Sequence, residues 1–257
     1  MSMYSLHLTL ISSSRCSIGF SGKNINAWLL SALSDYNKSL AEKIHSGKYW
    51  PMSPYSVKPL FYRNKIAKKI IPKREYTVKI SILDDSLEEP FILSLAEKLG
   101  EKVKLGKCEF ILSNIHGSLW NPKRVRAYSL SVRFRSPIFF KIIGRDKNIL
   151  FPISRGLLGT PMRLWNYFIE NRFTKDDLDR LSNLLFLLEY DVRTVKPIRL
   201  SRNRKVIGFI GEAKFEVLGE AETVSELLSL GEFSNVGGSR TLGFGCIEVN
   251  FNVAEEN

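Results

Sequence analysis

The sequence predicts an α+β fold of two tandem ferredoxin-like (RRM-like) βαββαβ domains, and three observations carry that reading. Its 257 residues suit one large or two small domains with length to spare for a buried core. Strand-like and helix-like hydrophobic periods succeed one another as strand, helix, strand, strand, helix, strand up to about Leu112, a split pair of βαβ units. After Ser113 to Lys123, a stretch of Asn, Gly, Ser and Pro without periodicity, the same order recurs. Domains at 1–120 and 121–257 are therefore expected.

In the first unit, Tyr4, Leu6, Leu8 and Leu10 alternate with Ser5, His7 and Thr9 as a strand. Ile25, Trp28, Leu29, Ala32, Leu33 and Tyr36 then recur at helical spacing with one core face. A short continuation carries Leu40, Ala41 and Ile44, ends at His45 and meets Gly47, which suits a helix C-terminus. Strand signals follow at Tyr55 to Tyr62 and at Tyr76, Val78, Ile80 and Ile82. Ser86 to Glu89 reads as a capping box for a helix with a stripe of Phe91, Ile92, Leu95, Ala96 and Leu99, closed by Gly100. A strand from about Lys102 to Leu112 completes the set.

In the second unit, Tyr128, Leu130, Val132 and Phe134 alternate as a strand that ends at Ser136-Pro137. Helical signals come at Trp165 to Ile169 and at Leu178, Leu181, Leu185 and Leu188, the latter capped from Thr174. Two strands, Val192 to Leu200 and Ile207 to Val217, flank a turn at Arg202-Asn203-Arg204-Lys205. Thr223 to Glu226 reads as a cap for a last helix, and Ile247, Val249, Phe251 and Val253 form the final strand.

Composition narrows the function. With 44% hydrophobic and 25% charged residues, the chain buries enough apolar surface to order itself. A net charge of +12 and a pI near 9.6 point to a polyanionic partner. Cys16, Cys108 and Cys246 lie far apart without a C-x-x-C, so no disulfide framework is indicated and a reducing, cytoplasmic setting is expected. His7, His45 and His116 are dispersed, so no metal site or cofactor is expected, although carboxylate-only magnesium sites stay open. The apolar runs are too short for a membrane span.

The most specific local signal is Val236 to Gly245, with four glycines in the nine residues from Gly237. Glycine permits positive φ and close backbone approach, so the amides of Gly237, Gly238, Ser239, Gly243 and Gly245 are candidates to face a phosphate beside Arg240. A turn and bulge is the alternative; a P-loop is excluded, since no Gly-Lys-Ser/Thr ending is present.

With Gly208 to Gly211 before it, this loop resembles the C-terminal signature of the CRISPR-associated endoribonucleases that process CRISPR repeat RNA (Cas family six), within the repeat-associated mysterious protein superfamily. Trp28-Leu29-Leu30, Leu40 to His45, Tyr49 to Ser53 and Ser136-Pro137-Ile138 are similar to further parts of that family, so the likeness spans nearly the whole chain. The resemblance implies a metal-independent ribonuclease in which the upstream 2′-hydroxyl attacks the adjacent phosphate. It matches His45 to the family's histidine, histidine being suited to proton transfer near neutral pH. It also implies a lysine shortly beyond, Lys48 first and Lys58 second, and charge stabilisation by Arg240. Counting back to the family's tyrosine reaches Leu30 instead, with Tyr36 a stand-in more suited to the core.

Two basic clusters suit an RNA backbone. Arg63, Lys65, Lys68, Lys69, Lys73 and Arg74 form one, and Arg202, Arg204 and Lys205 tip a hairpin in the other. His7 and His116 read as surface groups. CRISPR repeat RNA is the expected partner, with other effector-complex subunits and a second copy of the chain left open and no membrane role. A catalytically inactive RNA-binding subunit and an unrelated basic protein are the alternatives.

Overall fold

The computed structural model describes residues 2–142, 147–201 and 204–253. It divides into two compact units, one of Met1–Trp120 with Thr241–Gly243 and one of Asn121–Arg240 with Phe244–Asn257.

In the first unit, β1 (Tyr4–Ser12) is central, antiparallel to β3 (Glu75–Ile82) on one side and to β5 (Cys108–Leu119) on the other. The edge beyond β3 is built by β2 (Tyr55–Val57) and by Phe61–Tyr62, and β4 (Lys102–Leu105) folds back on β5. Strand alternation turns Leu6, Leu8 and Leu10 to one face, where they share a core with Ile25, Leu29 and Leu33 of α1 (Gly22–Tyr36) and Phe91 and Leu95 of α3 (Glu88–Ala96). Between them α2 (Lys38–Ser46) opens on Asn37, whose side chain accepts from the Leu40 amide at 3.0 Å, and stops at Gly47 with φ 63°.

The second unit repeats this plan. β6 (Ala127–Ile138) is central, β7 (Leu185–Thr194) and β8 (Phe209–Val217) lie on one side, and β9 (Ile247–Val253) on the other, in the order β7-β8-β6-β9. The second sheet thus runs second, third, first, fourth, and the first sheet does the same with β5 in the fourth place and β4 added outside it, the tandem ferredoxin-like arrangement the element order predicts. The second unit carries α4 (Ser154–Phe168), α5 (Lys175–Leu184) and α6 (Ala221–Ser234), one helix more than the repeat requires. Thr174 caps α5 in a full capping box with Asp177.

Several local expectations change. Ser113 to Leu119, expected as linker, is strand, because β5 shifts its register at Ser113, between Leu10 opposite Leu112 and Thr9 opposite Asn114, and goes on pairing with β1 as far as Tyr4 opposite Leu119. The shift at Ser113, the exposed Ser113, Asn114, His116 and Ser118, and Gly117, which makes room for the Tyr4 ring, together hide the alternation. Ser86 does not cap α3, which follows Leu87 without a side-chain cap; Asp84 instead caps the 3-10 turn Asp85–Leu87 ahead of it, accepting from the Ser86 amide at 3.1 Å. Leu185 and Leu188 belong to strand, not helix, as α5 ends at Leu184. Thr223 lies inside α6, which begins at Ala221, and Glu226 is buried in ion pairs with Arg124 (2.7 Å) and Arg172 (3.0 Å).

Cys16 and Cys108, expected as separate thiols, are joined as a disulfide with Cα atoms 5.7 Å apart. Their separation of 92 residues is what hides the pair, since only the return of β5 to the sheet brings them together. Cys246 is free and buried. No helix among the described residues is long and apolar enough to cross a membrane.

Candidate active site

His45 lies in the last turn of α2, held there by the buried anchors Ala41 and Ile44 and by the left-handed stop at Gly47. It lines a cavity of about 310 Å³ in the first unit, shared with Asn26 and Leu30 of α1, Trp50, Tyr55 and Thr241. Apolar spacing on α1 sets this up. Leu29 and Leu33 face the core, so Asn26 and Leu30 stand at its margin, half-buried. Trp50 is fixed by its indole N–H, which donates to Asp84 Oδ2 at 2.7 Å. The Tyr55 hydroxyl donates to Asn26 Oδ1 at 2.5 Å, and burial pushes that phenol well above its usual range. No carboxylate is among the lining residues, so a phosphate entering here meets no like charge from the cavity wall.

The residues expected with His45 are brought together only in part. Leu30 does face the cavity, so the position matched to a tyrosine is apolar here. Tyr36 is neither core nor cavity, being 39% exposed at the end of α1. Lys48 is exposed just past Gly47, its amide donating to Ser46 Oγ at 3.4 Å, and does not line the cavity. Lys58 lies elsewhere, near His7 and Lys79.

That second neighbourhood is a feature sequence spacing missed. His7 stands opposite both Lys79 and His116 in the sheet register, with the two imidazole centroids 6.3 Å apart. Burial first, then the positive charges of Lys79, His116 and Lys58, hold His7 below its ordinary value. The histidines lie 109 positions apart in the chain, and only the antiparallel pairing of β1 with β5 makes them neighbours.

At three of its five candidate amides the glycine-rich loop departs from the phosphate-cradle expectation. The Gly237 amide donates to Thr160 Oγ1 (3.0 Å), that of Gly238 to Phe139 O (3.2 Å) and that of Gly245 to Pro137 O (3.0 Å). These donors are spent inside the second unit. The glycines answer to crowding: a Cβ on Gly237 would stand 2.5 Å from Phe139 O, and one on Gly245, where φ is +74°, 2.8 Å from the Val236 carbonyl carbon. Asn235 and Ser239 also adopt positive φ. Arg240 is buried, donates to Ser234 O at 2.9 Å, and is pushed down to about 10 by burial, then by Arg163. It fastens the loop to the end of α6, in place of facing a phosphate as a loop cation. Thr241–Gly243 belongs with the first unit, where Leu242 and Gly243 rest on Gly22 at the start of α1.

All six cations of the Arg63 to Arg74 cluster are exposed, carried on a segment that includes the Phe61–Tyr62 and Lys65–Ile66 hairpin. Arg204 and Lys205 are exposed too, with Arg204 Nη2 3.5 Å from Ser239 Oγ; Arg202 lies outside the described residues. No group of three or more His, Cys, Asp or Glu able to hold a metal occurs among the described residues.

A family model described as "CRISPR-associated endoribonuclease Cas6" matches residues 132–247. A Streptococcus thermophilus protein described as "CRISPR-associated endoribonuclease Cas6" is 27% identical over 201 residues, covering 72% of this chain and 80% of that one. Among solved structures, a Thermus thermophilus Cas6 in a product complex superposes with a TM-score of 0.76 at 20% identity, covering 97% of this chain and 100% of that one. A Cas6-related protein from Pyrococcus furiosus gives 0.60 at 12% identity, covering 97% and 99%.

Proposed function

We propose that the chain is an endoribonuclease of the Cas6 kind, which its likeness to that family supports, and that it cuts CRISPR repeat RNA without a metal ion, by attack of a 2′-hydroxyl on the adjacent phosphate. The observation that carries this reading is His45, lining a cavity free of wall carboxylates at the C-terminus of α2. In the reaction the 2′-oxygen bonds to phosphorus, the bond to the 5′-oxygen breaks, one proton leaves the 2′-hydroxyl and one reaches the departing 5′-oxygen. His45 carries one of these transfers. The products are a 2′,3′-cyclic phosphate, or the 3′-phosphate formed from it, and a 5′-hydroxyl. Solved Cas6 relatives described as product and substrate-mimic complexes support repeat RNA as the ligand, and the exposed cations at Arg63 to Arg74 and at Arg204 and Lys205 supply phosphate contacts.

One observation favours a second reading, an RNA-binding subunit that does not cut. Leu30 offers no proton where the family resemblance expects a tyrosine. Single-turnover cleavage of repeat RNA in EDTA separates the two. The enzyme reading expects cleavage that persists in chelator, stops when deoxyribose replaces the ribose 5′ of the cut, and slows by about 100-fold to 10,000-fold in His45→Ala with affinity nearly unchanged. Binding without any cut supports the subunit; cleavage of the deoxy substrate overturns 2′-hydroxyl attack.

A further inference from the structure

With Leu30 apolar, the cavity beside His45 needs another polar group to hold the reacting phosphate, and the same helix supplies one a turn earlier. Asn26 precedes Leu30 by four residues, so both lie on one stripe of α1 and both line the cavity. Its amide is oriented. A buried hydroxyl hydrogen needs an acceptor, and the Tyr55 hydroxyl finds it in Asn26 Oδ1 at 2.5 Å. Tyr55 is only 3% exposed, and its ring is held against Phe91 with centroids 5.4 Å apart. The carbonyl end of the amide is thereby occupied, and Nδ2, a donor of two hydrogen bonds, has no partner among the described residues.

We infer that Asn26 is a substrate-contacting residue of this cavity, donating from Nδ2 to a non-bridging oxygen of the scissile phosphodiester, and that Tyr55 is the positioning residue that aims it. The inference rests on the cleavage reading above. The cavity's roughly 310 Å³ is about ten waters' worth of space, enough for one phosphodiester with adjoining sugar atoms. The chemistry suits the step. Charge grows on the non-bridging oxygens as the 2′-oxygen adds, and a preoriented neutral donor stabilises that charge without reorganising. An aimed amide contributes to the transition state more than to ground-state affinity, where the surface cations dominate.

The test compares Asn26→Ala, Asn26→Asp, Tyr55→Phe and the Asn26→Ala/Tyr55→Phe double variant with the full-length wild type, each by repeat-RNA affinity and single-turnover rate. Asn26→Ala should cut about 100-fold more slowly, the low end for losing one such donor, with affinity within about threefold. Asn26→Asp, which puts an acceptor and a negative charge in the same volume, should be slower still. Tyr55→Phe should lose about tenfold, and the double variant should be no slower than Asn26→Ala alone, because Tyr55 acts only through Asn26. Sulfur at the contacted non-bridging oxygen should slow the wild type and leave Asn26→Ala almost indifferent, a signature that a merely structural role would not produce. Retained affinity certifies that a slow variant is folded. If the wild type cuts repeat RNA and Asn26→Ala cuts within threefold of it, or the two single losses multiply in the double variant, the inference falls alone. If the wild type cuts no repeat RNA, the cleavage reading falls and this inference with it.

Discussion

Replacing Gly22 with alanine sets helix propensity against packing, and the two predict opposite signs. Gly22 opens α1, and alanine in place of glycine favours a helix by up to about 1 kcal/mol. Against this, a Cβ at Gly22 would stand 2.7 Å from the Leu242 carbonyl carbon and 2.8 Å from Gly243 Cα, and nearer still to the Leu242 oxygen. Ordinary contact begins at about 3.4 Å, so the Leu242 backbone must retreat by at least about 0.7 Å. Backbone cannot swing aside as a side-chain tip does, and overpacking of this kind costs about 1–3 kcal/mol. The net expectation is a loss of about 1–2 kcal/mol, or roughly 2–8 °C in Tm for a chain of this size. Gly19→Ala is the control, because nothing lies within 4 Å of its Cβ position and its φ is not positive; it should be neutral or stabilising by up to about 1 kcal/mol. Thr241, one residue before Leu242, lines the cavity of His45, so the displacement also reaches the site. Misplacement by about 1 Å costs on the order of 100-fold in rate. Thermal unfolding followed by circular dichroism, with single-turnover cleavage beside it, reads both effects. A Gly22→Ala protein as stable as Gly19→Ala and cutting at the wild-type rate would refute the packing of this loop against α1.

Three further outcomes are expected. The Cys16–Cys108 disulfide closes a 92-residue separation, so reduction, or Cys16→Ser with Cys108→Ser, should lower unfolding free energy in urea by about 2–4 kcal/mol; equal midpoints with and without reductant would sink this. His7 is held below its ordinary value of 6.5, so the folded state binds fewer protons there than the unfolded one, and this contribution to stability is present above about pH 6.5 and lost as pH falls toward the lowered value. His7→Gln should flatten that acid-side decline, and an unchanged pH profile of the midpoint would count against it. Replacing Arg202, Arg204 and Lys205 with alanine should weaken RNA binding and reduce the slope of log affinity against log salt by about 2, at ~0.7 per single-strand phosphate contact; an unaltered slope would show that the tip faces solvent.

What the sequence determined is the part of this protein set by local periodicity and charge. Alternation at Tyr4 to Leu10 and at Tyr76 to Ile82, helical spacing at Ile25 to Leu33, and the Thr174 cap each place their element correctly, because burial of one face reads directly as a period of two or 3.6. The doubled order of elements, the polyanion-seeking charge and the place of His45 at a helix end came the same way. Leu30, singled out by the family resemblance, lines the cavity of His45 because α1 and α2 are a directly connected helix pair. Tertiary structure decided what depends on residues far apart in the chain. His7 meets His116 and Cys16 meets Cys108 because β5 returns beside β1, and the Tyr55 hydroxyl reaches Asn26 because α1 packs against β2; no local pattern encodes such meetings. The glycine loop shows the difference most plainly. Composition marks Gly237, Gly238 and Gly245 as special, but whether their amides are open to a ligand or spent on Thr160, Phe139 and Pro137 depends on which backbone packs against them. Burial likewise makes Arg240, read from sequence as a phosphate-facing charge, a clasp on Ser234, since desolvation is a property of the surroundings and not of the residue.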